Sequence, residues 1–200
     1  MKSPFIYLSI AGVAVLVALA LLKVVIPPYK YQGSLIDPPV LAADFTLTDT
    51  VGNPFKLSSQ RGKLLMVYFG FTNCPDECPL TMANFARLRK SLGGNEDSVR
   101  FLLITVDPER DTREQIRSYL DKFDPALIGL TGTPAELAQV WKDYGVYVSI
   151  PEHQPGESYD VEHTSRIYLI DPQGNWRLTY TVDEDWQAMA ADVQHVLAGE

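Results

Sequence analysis

The sequence predicts an α/β domain, a mixed sheet covered by helices on both faces with a hairpin added at its start and a β-hairpin near its C-terminus. Three observations lead there. Apolar β-branched runs alternate with helix-period segments through the middle of the chain, turn-rich pairs of alternating segments flank that part, and no internal repeat or low-complexity tract interrupts it. Alternating β and α units imply parallel neighbours and hairpins imply antiparallel ones, so the sheet must contain both.

The front of the chain is of a different kind. Residues 5–22 are an uninterrupted, mostly apolar run, preceded by Lys2 and followed by Lys23-Val24-Val25-Ile26-Pro27-Pro28. Extended through Ile26, a helix here reaches about 30 Å, enough to cross a bilayer. Residues 1–4 then form a short cytoplasmic N-terminus and residues 5–26 a transmembrane anchor. A cleaved signal peptide is the rival reading, because Ala18-Leu19-Ala20 has the small-x-small form of a cleavage site. The run is longer than the roughly 7–15 residues of a signal-peptide core and continues past that site, which favours an uncleaved anchor. No cysteine near its end suits a lipoprotein anchor. Basic residues do not decide the topology, since Lys2 precedes the run and Lys23 and Lys30 follow it. The short leader and large following domain favour export.

Residues 27–42 read as a tether, with Pro27, Pro28, Pro38 and Pro39 discouraging regular structure, and residues 43–200 as the folded domain. Phe45-Thr46-Leu47-Thr48 and Pro54-Phe55-Lys56-Leu57 alternate across a glycine-containing loop and read as a hairpin. Residues 58–62 step into Lys63-Leu64-Leu65-Met66-Val67-Tyr68-Phe69, a buried strand. Residues 78–92 have helix spacing and stop at Gly93-Gly94-Asn95. Residues 99–106 form a second central strand, ending in Asp107-Pro108-Glu109-Arg110-Asp111-Thr112. Asp111 is expected to cap the next helix, since Glu114 lies three residues on and Ile116, Tyr119, Leu120 and Phe123 make an apolar stripe. After a short strand at 127–130, Thr133-Pro134-Ala135-Glu136 is a capping-box helix start whose helix turns Leu137, Val140 and Trp141 toward the core. Residues 146–150 read as an edge strand, 151–160 as a polar loop and 166–170 as another central strand. Residues 171–175 then turn the chain into 176–180, and the last helix covers 185–197.

All 25 acidic residues lie after residue 30, and the formal net charge is −8. Such a surface is a poor match for phosphate backbones and argues against a nucleic-acid partner. The only two cysteines stand in Phe71-Thr72-Asn73-Cys74-Pro75-Asp76-Glu77-Cys78-Pro79, between a strand and a helix. One nearby pair in an exported domain is not a disulfide framework, so the core must carry the fold and the thiols are free for chemistry. Unpaired helix N–H groups favour thiolates there, and Asp76 and Glu77 oppose them. The spacing is one residue longer than the Cys-x-x-Cys of thioredoxin-type redox enzymes, which weakens the oxidoreductase reading without removing it.

A metal site needs further ligands, and His163 lies just before the strand at 166, where it can face the cysteine helix. Two thiolates and an imidazole suit Cu(I), Cu(II) with added weak ligands, or Zn(II) with an open position. On the residues alone, His163 is equally a ligand or an ordinary strand-entry residue. His153 reads as solvated in its loop, His195 as solvated on the last helix, and Met66, Met82 and Met189 as core. Asp107 is either a residue orienting the cysteine loop or a strand-end cap. Trp141 and Trp176 are core or hairpin residues.

The chain resembles the SCO/SenC family of membrane-anchored, thioredoxin-like copper proteins involved in cytochrome c oxidase assembly. The resemblance is carried by the cysteine segment from Phe69 to Pro79, by Asp107-Pro108-Glu109-Arg110-Asp111-Thr112, and by Tyr159-Asp160-Val161-Glu162-His163-Thr164. It implies a thioredoxin-like three-layer fold and a copper site of Cys74, Cys78 and His163, with Asp107, Glu162 and Asp76 as neighbours of that site rather than ligands. The family usually has aspartate before the histidine, and Glu162 sets that carboxylate one methylene farther out. Two functions follow from the resemblance. The protein either delivers Cu(I) or Cu(II) to the binuclear copper centre of the oxidase's copper-binding subunit, or uses Cys74 and Cys78 to reduce that acceptor's cysteines while another chaperone supplies metal. The implied partners are that subunit, a periplasmic copper donor and a thioredoxin-like reductant, and the implied location is the bacterial inner membrane with the domain on the periplasmic face. A thiol peroxidase is a remote third reading, because Phe71 stands where a peroxiredoxin has threonine.

Overall fold

The structure is a computed structural model that describes residues 12–13, 29–154 and 156–199. Two compact units are distinguished, Met1–Tyr31 and Gln32–Glu200. In the first, residues 12 and 13 are helical, and the rest of the anchor expected at 5–26 lies outside the described residues. Among the described residues, no helix is long and apolar enough to cross a membrane.

The second unit is built on an eight-stranded sheet. Its strands are β1 (Ser34–Leu41), β2 (Thr46–Asp49), β3 (Pro54–Lys56), β4 (Leu64–Gly70), β5 (Val99–Thr105), β6 (Ile128–Thr131), β9 (Arg166–Ile170) and β10 (Asn175–Thr181), while β7 (Val148–Ser149) and β8 (Glu162–His163) form a separate pair. The order across the sheet is β1-β10-β9-β4-β5-β6-β2-β3. Strands β4, β5 and β6 run parallel and the other neighbours are antiparallel, which gives the mixed sheet that the alternating and hairpin segments require. The helices are α1 (Glu77–Ser91), α2 (Arg113–Leu120), α3 (Pro134–Asp143) and α4 (Trp186–Leu197).

All seven residues of β4 are buried, as a strand covered on both faces must be. Its alternate side chains serve opposite layers. Tyr68 reaches Cys78 of α1, and Phe101 of β5 packs on Phe85 of α1 with ring centroids 5.2 Å apart. On the other face, Phe69 meets Tyr144 at the end of α3 (5.6 Å) and Tyr168 of β9 (5.5 Å). Helix α4 packs against α1. The capping box at Thr133 and Glu136 forms as the sequence predicts, and Asp185 caps α4.

Three expectations are corrected. The tether expected through residue 42 ends early, because residues 34–41 form β1. That strand pairs with β10, and its start is pinned where the Gln32 and Gly33 N–H groups donate to the buried Asp192 carboxylate of α4 at 3.1 and 3.0 Å. Prolines are tolerated there because β1 is an edge strand with one side free of the ladder. The edge strand expected at 146–150 shrinks to β7, which leaves the main sheet and pairs with β8. The cap of α2 is Thr112, whose hydroxyl accepts from the Gln115 N–H, and Asp111 is freed for another task.

Candidate metal centre

Strand β4 ends at Gly70, and the chain turns through residues 71–76 before α1 begins, so the two cysteines straddle the helix start. Cys74 is half-buried in the turn and Cys78 is fully buried in the first helical turn; both are free thiols. The Cys78 N–H donates to the Cys74 sulfur at 3.4 Å, which puts the turn's sulfur over the helix N-terminus. The Tyr68 hydroxyl lies 3.6 Å from the Cys78 sulfur. Gly70 makes room for that sulfur, since a Cβ there would stand 2.8 Å from it and 2.6 Å from the Tyr68 ring.

The pair is electrically uneven. A hydrogen bond from the Cys78 thiol is the main cause that draws the Cys74 thiol down to about 5. The Cys78 and Asp76 backbone N–H groups and nearby His163 add to this, against the opposing effect of partial burial. The same bond, with burial, pushes Cys78 up. Proton and charge therefore divide between the sulfurs, one a thiolate and one a buried thiol. The carboxylates expected to resist this are exposed at Asp76 and Glu77, and Glu77 is engaged by the Ser165 hydroxyl.

Ahead of the cysteines, Asp111 is 1% exposed and takes hydrogen bonds from the Thr72 N–H (3.1 Å), the Thr72 hydroxyl and the Thr105 hydroxyl (2.7 Å). It ties the cysteine turn to the end of β5. Burial raises its pKa and those hydroxyls oppose the rise. Sequence reasoning missed this role because Asp111 also sits at the right spacing for a helix cap.

His163 arrives from the other side. In β8 it pairs with Val148 of β7, and its ring meets Phe71 and Tyr68 edge-on at 5.8 and 6.3 Å. Its Nδ1 is 3.1 Å from the Thr164 carbonyl and donates to it in the tautomer that leaves Nε2 as the available donor atom. A cleft of about 540 Å³ has Cys74 and His163 in its lining, with Asp76, Glu77 and Glu162 around them. Cys78 lies beneath Cys74. Among the described residues, no three His, Cys, Asp or Glu side chains are assembled closely enough to hold a metal ion. Cys74 and His163 therefore share one cleft, and with the buried Cys78 they are not drawn into a coordination cluster. Two sulfurs and an imidazole nitrogen remain a chemically suitable set for copper.

Asp107 is fully buried but does not touch the cysteines. It accepts from the Tyr159 hydroxyl at 2.8 Å and pairs with Arg110, whose Nη1 also donates to the Tyr159 carbonyl at 2.8 Å. The Arg110 guanidinium lies 3.7 Å from the Tyr159 ring centroid, and the His153 ring stacks on Tyr159 at 3.8 Å. Two groups so close cannot share a face, so Tyr159 is sandwiched. His153, expected to be merely solvated, also pairs with Glu109 at 3.1 Å. Asp107 thus anchors the segment that leads to His163 rather than the cysteine loop. Met66, Met82 and Met189 are buried core, and His195 lies on α4 away from the cleft lining.

A β4-α1-β5-α2-β6 parallel unit joined to the antiparallel β9 and β10, with a cysteine pair where the first strand meets its helix, is a thioredoxin-like α/β fold with a mixed central sheet. The chain belongs to the SCO1/SenC family, whose model matches residues 34–198. That membership links it to proteins of copper handling and cytochrome c oxidase assembly. It is 40% identical over 138 residues to the mitochondrial protein SCO2 of Saccharomyces cerevisiae, covering 68% of this chain and 46% of the relative. Among solved structures it is similar to Bradyrhizobium japonicum ScoI with copper bound (TM-score 0.72, 36% identity, 79% of this chain and 100% of that one). It is also similar to apo Sco1 of Thermus thermophilus (TM-score 0.78, 29% identity, 85% and 99%). The chain spans about half the length of the mitochondrial relatives it matches.

Proposed function

We propose that this protein is a copper metallochaperone that carries copper on Cys74, Cys78 and His163 and delivers it to the binuclear copper centre of cytochrome c oxidase. The carrying observation is that the Cys74 thiolate and the His163 ring, set by the neighbouring strands β4 and β9, line one cleft, with the buried Cys78 donating its N–H to the Cys74 sulfur. Copper is cargo in this reading, as Cu(I) or Cu(II). Soft thiolates favour the reduced ion, and one imidazole keeps the donor number low enough for an acceptor to compete. Copper-bound relatives of the same family support the assignment. Residues 5–26 act as a single-pass anchor in the bacterial inner membrane, with residues 1–4 cytoplasmic and the domain on the periplasmic face beside its acceptor.

The uneven cysteine pair favours a second role, reduction of the acceptor's disulfide. The Cys74 thiolate attacks one acceptor sulfur, forming a mixed disulfide and releasing the other as thiolate. Cys78 then loses its proton and attacks Cys74, freeing the second acceptor sulfur. Two electrons pass to the acceptor and a Cys74–Cys78 disulfide remains for a thioredoxin-like partner to reduce.

The test loads the reduced full-length chain with Cu(I) and with Cu(II), compares Cys74→Ser, Cys78→Ser and His163→Ala, and mixes each with oxidised or reduced apo-acceptor. Loss of tight binding in all three variants, with metal passing to reduced acceptor, is the expected result. Unchanged binding in His163→Ala removes the ligand set. Electron transfer without metal transfer selects the reductase.

A further inference from the structure

We propose that Glu77 and Ser165 form a latch that positions His163 against the cysteine pair, which makes Glu77 a positioning residue of the centre. The inference rests on the copper reading above.

The Ser165 hydroxyl donates to a Glu77 carboxylate oxygen across 88 residues of chain. Its place matters more than its strength. Ser165 is two residues after His163, and Glu77 is the residue before Cys78, so the bond joins the histidine segment to the cysteine helix beside the donor set. Tyr68, whose hydroxyl lies 3.6 Å from the Cys78 sulfur, also meets the His163 ring edge-on, so the ring and the buried thiol share a neighbour beside the latch.

On this side the Tyr147 N–H donates to the Thr164 hydroxyl at 3.0 Å, and the chain enters β9, an interior strand of the sheet, directly after Ser165. Strand β8 is two residues long, and the Thr164 N–H donates to the Tyr147 carbonyl at 3.0 Å. Upstream, the sandwich at Tyr159 fixes the segment to the loop after β5. His163 thus lies in a short stretch between the Tyr159 fastening and β9, and the Glu77–Ser165 bond is the hydrogen bond that ties this stretch to the cysteine helix. Cutting it leaves β9 paired and removes that tie, so the imidazole is set less closely against the sulfurs.

The full-length parent, Glu77→Ala, Glu77→Gln, Ser165→Ala and the Glu77→Ala/Ser165→Ala double variant are compared by competition for Cu(I) against a chromogenic chelator. Each alanine variant is expected to bind about tenfold more weakly, the upper end of one hydrogen bond's net contribution. The double variant should be no weaker than either single, because both remove one interaction. Glu77→Gln should stay within about twofold, since its amide oxygen still accepts from Ser165. The sulfur-to-Cu(II) charge-transfer band should shift in the alanine variants and not in Glu77→Gln. In the metal-free chain, amide exchange at residues 162–165 should quicken in the alanine variants alone. A glutamine variant as weak as alanine would assign the effect to charge and overturn the latch, as would multiplicative losses in the double variant or unchanged exchange. If His163→Ala binds Cu(I) like the parent, the copper reading falls and the latch's role at the metal falls with it. If His163→Ala is weakened while Glu77→Ala is not, only the latch fails.

Discussion

The two halves of the cleft are built by different physics. The cysteine half grows out of β4, a strand buried along its entire length between two helical layers. The histidine half comes at the end of a polar excursion from residue 150 to 161, fastened by the Arg110, Tyr159, Asp107 and His153 contacts and paired through only two residues of β8. Burial holds the first half, and a few directional contacts hold the second. Side-chain truncations should accordingly cost global stability on the cysteine side and local order on the histidine side.

The largest effect is expected from Phe69→Ala, which empties the contact with Tyr144 and Tyr168 and should cost about 3–5 kcal/mol in a urea unfolding series. A cost below 1 kcal/mol would break the comparison at its firm end. Next comes the cysteine pair itself. At pH 7, iodoacetamide should modify Cys74 at least about a hundredfold faster than Cys78, with the Cys74 rate rising through a midpoint near 5. The sign for stability follows. The Cys74 value falls below its ordinary 9.0 on folding, so its ionisation stabilises the fold fully above that pH, and the contribution fades as pH drops toward 5. A Cys74 midpoint near 9 would remove the asymmetry.

Asp111→Ala should come third, costing about 2 kcal/mol and slowing Cys74 alkylation as the turn loosens, because the Thr72 N–H and Thr105 hydroxyl lose a charged acceptor. Wild-type alkylation in that variant would show that the turn does not depend on it. The smallest effect is expected from Tyr159→Phe, which keeps the sandwich and loses only the bond to Asp107, about 1 kcal/mol. Its signature should be faster amide exchange across residues 151–165 with exchange in β4 unchanged. Uniform acceleration through both halves would erase the distinction between them.

The same division governs what the sequence reveals. The central strands, the capping box at Thr133 and the junction holding Cys74 and Cys78 are legible because each is written in neighbouring residues, as apolar period, cap spacing or strand-to-helix order. Strand β1 is not, since Asp37-Pro38-Pro39 argues locally against a strand and only pairing with β10 makes one. Asp111 is misread for a related reason. Its spacing suits a cap, but the side chain turns inward to Thr72, 39 residues away in sequence, and Thr112 takes the cap. The histidine half is nearly silent, because two-residue strands carry no period and the partners of Tyr159 are scattered from Asp107 to His153. There, resemblance to a family said more about His163 than any pattern around it.

Gly70 has a bearing beyond the cleft's present chemistry. The volume a side chain would claim at that position is already filled by two neighbours, the Tyr68 ring and the Cys78 sulfur. Residues 68, 70 and 78 are therefore one locus for mutation, and a methyl group at the glycine requires both the ring and the sulfur to give way. Loss of the thiol alone leaves the ring in place and does not release the glycine.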